Sequence, residues 1–210
     1  MHEKRYDIQG IRGWAVAAVV IFHFFPDLLP FGYLGVDVFF VLSGFLISLV
    51  LDNKPRTLHT YTSFNFKRIR RISPLAILVI LICLVRTWMS ESGPIVGYST
   101  RSALYAMFYA TNWKNRNEGE DYFRDLEKAD DLYTHTWSLS VEIQFYLLAP
   151  ILFHMIRPKI ALNSLLYLSG VATLSLLYSF AITPSDAFSS TLSRLWQFSC
   201  GAVAYELQPV

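Results

Sequence analysis

Two residues on one apolar stretch combine type and spacing in a way that suits chemistry inside a bilayer. Arg12 and His23 stand eleven positions apart in the run from Ile8 to Phe25. In a helix that spacing is three turns plus roughly 20°, so both project from one face, about 16 Å apart along the axis. A neutral imidazole is the usual general base at about pH 7. An ionisable residue within a span is by default a functional-site hypothesis. Arg12 alone also fits a cation that marks a helix end and snorkels to the interface. His23 needs a partner or a wet cavity, either for packing or for proton transfer.

Four further positions carry chemistry. Asp37 stands three residues into a second apolar run, Leu34 to Leu51. A helix N-terminus welcomes a carboxylate, and the short Pro26–Gly32 turn also lets Asp37 lie near His23 and orient its ring. Ser43 has a nucleophile's hydroxyl, although a Ser beside Gly44 in a membrane helix ordinarily serves close packing. Phe66 to Pro74 contains Lys67, Arg68, Arg70 and Arg71. Such a cluster fits anionic lipid or a guanidinium clamp for a phosphorylated carrier. If that segment is helical, Arg68 and Arg71 share a face. Glu142 lies within the apolar stretch that opens at Trp137. His135 and Ser138, seven and four residues before it, fit the same face. An intramembrane carboxylate is either paired with an Arg or functional.

The elements that must position these residues are membrane helices. Of the 210 residues 53% are hydrophobic and only 16% charged, against roughly 25% charged in a soluble domain. Mean hydropathy is +0.36. A net charge of +2, with the cations in membrane flanks, argues against nucleic acid as a partner. Cys83 and Cys200 sit in apolar runs and read as small core residues, and no Cys/His spacing resembles a metal site. Phe24-Phe25-Pro26-Asp27 is no small-residue cleavage site, so the first run reads as a retained span rather than a signal peptide.

Taken in order, expected spans run from Ile11 to Leu29, Leu34 to Leu51, Leu75 to Trp88, Trp137 to Ile156, Leu165 to Ile182 and Leu192 to Leu207. Pro74 opens the third as a first-turn residue. Ser99 to Trp113 is either a short braced span or an interfacial helix. The expected fold is therefore all-α, a polytopic transmembrane bundle of six or seven membrane helices in one domain over residues 1–210. Six cations between Asp52 and Ser73 place that segment, and with it the N-terminus bearing Lys4, Arg5 and Arg12, on the cytoplasmic side. The last run ends close to Val210, which suggests an incomplete domain. On these physical grounds alone a transporter-like bundle fits as well as an enzyme.

Four blocks in order resemble the acyltransferase-3 superfamily of integral-membrane acyltransferases. They are Arg5–Gly13 with His23; Gly32–Ile47, containing Asp37 and Ser43; Phe66–Pro74; and Trp137–Tyr146 with Pro150. The segment Arg194-Leu-Trp196-Gln-Phe198-Ser-Cys-Gly201 is similar to a later family motif. Phe31, Tyr6 and Gln9 differ from residues common in the family. The resemblance implies transfer of an acyl group, commonly acetyl from acetyl-CoA as co-substrate, to a hydroxyl of a carbohydrate, lipid or small molecule. No permanently bound cofactor or metal is implied. It implies His23 as base or acyl relay with Arg12 as its partner, and Arg68 and Arg71 on the donor side. Asp37, Ser43, Trp137 and Glu142 fall on motif positions. The family domain holds more spans, so the resemblance implies an N-terminal portion, either of an active enzyme or of an inactive paralogue.

Overall fold

The computed structural model describes residues 5–51, 54–55, 57–117, 131–154 and 161–208. Lys4, Arg56, Ile156 and most of the acid-rich 115–131 segment lie outside them. Among the described residues there are nine α-helices and no strand, in keeping with the all-α bundle expected. They are α1 (Tyr6–Phe24), α2 (Gly35–Leu51), α3 (Leu58–Ser90), α4 (Pro94–Met107), α5 (Thr111–Asn117), α6 (Trp137–His154), α7 (Ala161–Ala181), α8 (Pro184–Ser189) and α9 (Thr191–Glu206). Among the described residues, three stretches are long and apolar enough to cross a membrane by length and composition alone: Gly32–Leu51, Leu58–Ser90 and Asn163–Ala181. The others expected to cross are shorter, as α9 is, or interrupted by polar side chains, as α1 is at Asp7, Gln9, Arg12 and His23.

Several placements differ from the sequence expectation. Helix α1 ends at Phe24 rather than Leu29, because Pro26 disfavours helical geometry at Phe25, whose φ is −142°. Helix α3 does not begin at Pro74. It starts at Leu58, where Thr57 caps it by accepting from the Thr60 amide at 3.2 Å, and continues through Pro74. The basic cluster is thus helical, and the helix is about 49 Å long at 1.5 Å per residue. A proline costs an interior hydrogen bond, but 33 residues of continuous helix outweigh one missing donor. Finally, His135 lies outside α6, in a 3-10 turn over Thr134–Thr136, so it does not share the Glu142 helical face. The ambiguous Ser99–Trp113 segment is divided between α4 and α5, with Tyr109 at positive φ between them.

The chain forms two compact units: Met1–Lys54 with Arg157–Leu174 and Leu195–Val210, and Pro55–Ile156 with Ser175–Arg194. In the first unit, α1 and α2 are joined by a tight turn and a 3-10 segment, Gly32–Leu34. A Cβ at Gly32 would overlap the Ala18 carbonyl oxygen, so α1 and the turn meet backbone to backbone. The same holds between α2 and α9. A Cβ at Gly44 would collide with the Phe198 carbonyl, and one at Gly201 with the Val41 carbonyl. Phe40 packs on Phe198 at 4.9 Å between centroids, and Phe45 meets Tyr205 edge-on at 5.7 Å. Such small-residue crossings are how helices associate where burial against lipid gives no advantage. At the start of α1, Arg5 pairs with Asp7 at 2.8 Å and lies over the Phe45 ring. The guanidinium hydrogen bond holds the Asp7 carboxyl down to about 2.

In the second unit, α3 and α4 form a hairpin. The Trp88 indole donates to Thr100 Oγ1 at 3.1 Å, and Ile80, Ala103, Ala106 and Tyr133 form a buried core between them. Gly93 turns the chain at φ +62°. Helix α5 is fixed by a reciprocal amide pair. Asn112 Nδ2 donates to Gln144 Oε1 at 3.0 Å, and Gln144 Nε2 donates to Asn112 Oδ1 at 2.8 Å. Gln144 also reaches the Tyr109 carbonyl and accepts from Thr191. A fully buried Lys114 closes on Asp131 at 3.0 Å and donates to the Tyr98 hydroxyl at 2.9 Å.

Helix crossings this close have no room for a methyl group. Gly201→Ala is expected to lower stability by about 1–3 kcal/mol, as over-packing does. Gly170→Ala, at a helical glycine with open space around it, is expected to be neutral or stabilising by up to about 1 kcal/mol. Thermal unfolding of both variants in detergent separates the two; equal melting would refute the backbone contact at Gly201.

Candidate functional site

The residues singled out in the sequence fall into two groups, one in each unit. In the first unit, Arg12 and His23 lie on α1 and Asp37 and Ser43 on α2. Arg12 is half-buried in mid-helix, while His23 is the penultimate residue of α1 and is exposed. Its ring meets Phe22 edge-on at 5.3 Å. The decisive contact is the one between His23 Nδ1 and the Val19 carbonyl oxygen, 2.7 Å away. A carbonyl only accepts, so Nδ1 carries the proton. In the neutral ring Nε2 then keeps its lone pair, and the helix backbone fixes the ring's tautomer. Asp37 occupies the first turn of α2, where the helix dipole favours its charge. Ser43 is buried beside the Gly44 crossing.

In the second unit the structure brings Arg68 and Glu142 together through one aromatic residue. The Arg68 guanidinium lies 5.5 Å from the Tyr146 ring centroid and 5.4 Å from that of Phe64. The Tyr146 hydroxyl donates to Glu142 Oε1, one turn back on the same helix. Phe64 and Tyr146 meet edge-on and are both buried. A cation over desolvated ring faces gains roughly 2 kcal/mol, so Arg68 is held in place. Arg71 is three residues further along α3 and exposed, as are Lys67 and Arg70 around it. The cluster thus divides into one guanidinium built into the helix packing and several facing outward.

Trp137 heads α6 and is buried. It packs on Phe188 at 4.4 Å, and Arg194 lies over both rings while donating to the Phe188 carbonyl at 2.9 Å. Trp137 therefore anchors the start of the Glu142 helix. Sequence reasoning missed the Lys114–Asp131 pair and the Asn112–Gln144 pair. Their only signal was polarity in short, ambiguous segments, and the partners are 17 and 32 residues apart.

Tyr146 does two jobs, one with its ring and one with its hydroxyl, that substitutions separate. Tyr146→Phe keeps the ring beneath Arg68 and removes the bond to Glu142, a loss of about 1.5–3 kcal/mol for a hydrogen bond to a charge. Tyr146→Leu removes both contacts and is expected to cost more. Chemical or thermal unfolding of the two variants checks the order, and equal stability of Tyr146→Phe and the parent protein would contradict the Glu142 contact.

Residues 5–209 match the acyltransferase-3 family, described as an acyltransferase domain. The O-acetyltransferase OatA of Staphylococcus aureus (strain NCTC 8325 / PS 47) is 32% identical over 220 residues, covering 100% of this chain and 36% of that protein. A putative membrane-bound transacylase, BcsY of Komagataeibacter xylinus, is 31% identical, covering 97% of this chain and 52% of its own length. A putative O-acetyltransferase of Staphylococcus aureus (strain COL) is 30% identical over 96% of this chain and 34% of its own. The chain spans between about a third and a half of the length of these curated relatives. No solved structure matches.

Proposed function

The chain belongs to the acyltransferase-3 family, and from that premise we propose that residues 1–210 belong to a single membrane-embedded acyltransferase domain. The reaction is transfer of an acyl group, acetyl in the first instance, from acyl-CoA to a hydroxyl. The acceptor is a carbohydrate, lipid or small molecule, and the relatives named as O-acetyltransferases favour acetyl and oxygen as the group and the acceptor atom.

The observation that carries this reading is the hydrogen bond from His23 Nδ1 to the Val19 carbonyl at 2.7 Å. It leaves Nε2 of the neutral ring as a lone-pair base. His23 Nε2 takes the proton of the acceptor hydroxyl while that oxygen attacks the acyl carbonyl carbon. The carbon–sulfur bond breaks, and the imidazolium returns the proton to the departing thiolate. Arg12, on the same face of α1 about 16 Å along the axis from His23, supplies a fixed positive charge at the other end of that face. Arg71 and its neighbours on α3 meet the phosphates of the donor. Arg68, held by Phe64 and Tyr146, is a positioning residue for that helix face, and Glu142 acts through Tyr146. Asp37, Ser43 and Trp137 support the helices that carry the site.

The basic first half of α3 and the cations at the start of α1 support a cytoplasmic N-terminus. The donor then enters from the cytoplasm, and the protein is a multi-pass resident of the bilayer. Positioned acid–base groups contribute about 10²–10⁴ in rate. His23→Ala is expected to lose transfer by about that factor in proteoliposomes supplied with acetyl-CoA and a hydroxyl acceptor, read as released thiol. Circular dichroism should show the helix content unchanged. Full transfer by His23→Ala would overturn the assignment.

A further inference from the structure

A cavity of about 570 Å³ lies where α3 ends and α4 begins, with Arg86, Glu91, Ile95, Asp131 and Leu132 among its walls. Its size falls within the range of about 300–1,000 Å³ typical of small-molecule sites. Helix α3 sets its depth in a bilayer. Ser90, the last residue of α3, stands nineteen residues beyond Arg71, roughly 28 Å along the axis. That is close to the roughly 30 Å thickness of the hydrocarbon layer. Between the two, Leu75, Leu78, Val79, Ile82 and Val85 are exposed, as on a helix face that meets lipid tails. Trp88, also exposed, stands where interfacial aromatic residues belong. The cavity and the basic cluster therefore mark opposite membrane surfaces, and the cavity lies at headgroup level.

Most of the polar groups in its walls are already engaged. Ser90 Oγ donates to the Arg86 carbonyl at 2.8 Å, Thr87 Oγ1 to the Cys83 carbonyl at 3.1 Å and Ser99 Oγ to Thr87 Oγ1 at 3.4 Å. The Tyr98 hydroxyl accepts from Lys114, whose charge matches that of the buried Asp131. What these contacts leave to a ligand is a guanidinium on Arg86 and a carboxylate on Glu91, both exposed. One cation and one anion on the same cavity match a ligand that carries both signs. Ile95 and Leu132, exposed beside them, offer an apolar flank. An anionic headgroup would set a second negative charge beside Glu91. A quaternary ammonium has no N–H for the carboxylate to accept.

We propose that this cavity holds the headgroup of a zwitterionic phospholipid with a primary ammonium, phosphatidylethanolamine, from the leaflet opposite the basic cluster. Arg86 donates to the phosphate oxygens as a charge-assisted pair, and Glu91 accepts from the ammonium. The glycerol backbone rests against Ile95 and Leu132, and the tails run down the exposed face of α3. Both remaining glycerol oxygens of such a lipid are esterified, so it is no acceptor for O-acyl transfer. The site does not depend on chemistry at His23.

Native mass spectrometry of the delipidated protein in detergent tests this without an acyl donor. The protein is titrated with phosphatidylethanolamine, phosphatidylcholine and phosphatidylglycerol of identical chains. One phosphatidylethanolamine per chain is expected to be retained, at about a tenth of the concentration that the other two lipids need. Arg86→Ala is expected to raise that concentration about tenfold, and Glu91→Gln to remove the preference over phosphatidylcholine. Both residues are exposed, so circular dichroism should show unchanged helix content. An excess of water-soluble glycerophosphoethanolamine, which has the headgroup without the tails, is expected not to displace the lipid. The proposal is overturned if phosphatidylcholine or phosphatidylglycerol is retained as well as phosphatidylethanolamine, if the soluble headgroup displaces the lipid, or if either variant retains and discriminates lipids as the parent protein does.

Discussion

The proposed chemistry depends on one hydrogen bond inside a single turn of α1. With Nδ1 of His23 committed to the Val19 carbonyl, the neutral ring has one tautomer, with its lone pair on Nε2. An imidazole protonated on Nε2 instead would carry its lone pair on Nδ1, where it would face the Val19 carbonyl. The constraint comes from elementary helix geometry, since a side chain at position i lies over the carbonyl of i−4. It costs the protein no additional element. It also places the ring in the last turn of α1, where it is exposed.

The remaining architecture answers a second constraint, that polar groups among apolar helices must find partners in the chain. The two units meet it differently. The first relies on backbone approach at Gly32, Gly44 and Gly201, which brings helices close with few polar side chains. The second relies on side chains: the Asn112–Gln144 amide pair, the Lys114–Asp131 ion pair, and Arg68 over Phe64 and Tyr146. Buried ion pairs are costly to desolvate and worthwhile only when every donor is satisfied. Lys114 finds acceptors in both Asp131 and Tyr98.

Much of this was legible in the residues before any coordinates. The shared face of Arg12 and His23 follows from an eleven-residue spacing, and the α1–α2 hairpin from Pro26 and Gly32 between two apolar runs. Membership of the acyltransferase-3 family was legible from four motif blocks. The continuous α3 was not, because Pro74 after a run of cations resembles a helix start as much as a helix interior. His135 fits the Glu142 face by spacing alone, but it precedes the Trp137 start of the span and takes a 3-10 turn rather than a helical one. The linkage of Arg68 to Glu142 is invisible in sequence, since the aromatic residue between them reads as ordinary core. The Lys114–Asp131 pair was hidden for a related reason: charges in a polar segment read as solvated until burial is known.

The central claim is that His23 presents an unprotonated Nε2 while Nδ1 holds its proton. Solid-state ¹⁵N NMR of ring-labelled histidine in bilayers, with His23 assigned by difference against His23→Gln, measures this directly. A protonated Nδ1 with a hydrogen-bonded shift and an unprotonated Nε2 in the neutral ring is the predicted spectrum. A proton on Nε2 in that state, with Nδ1 bare, would contradict it.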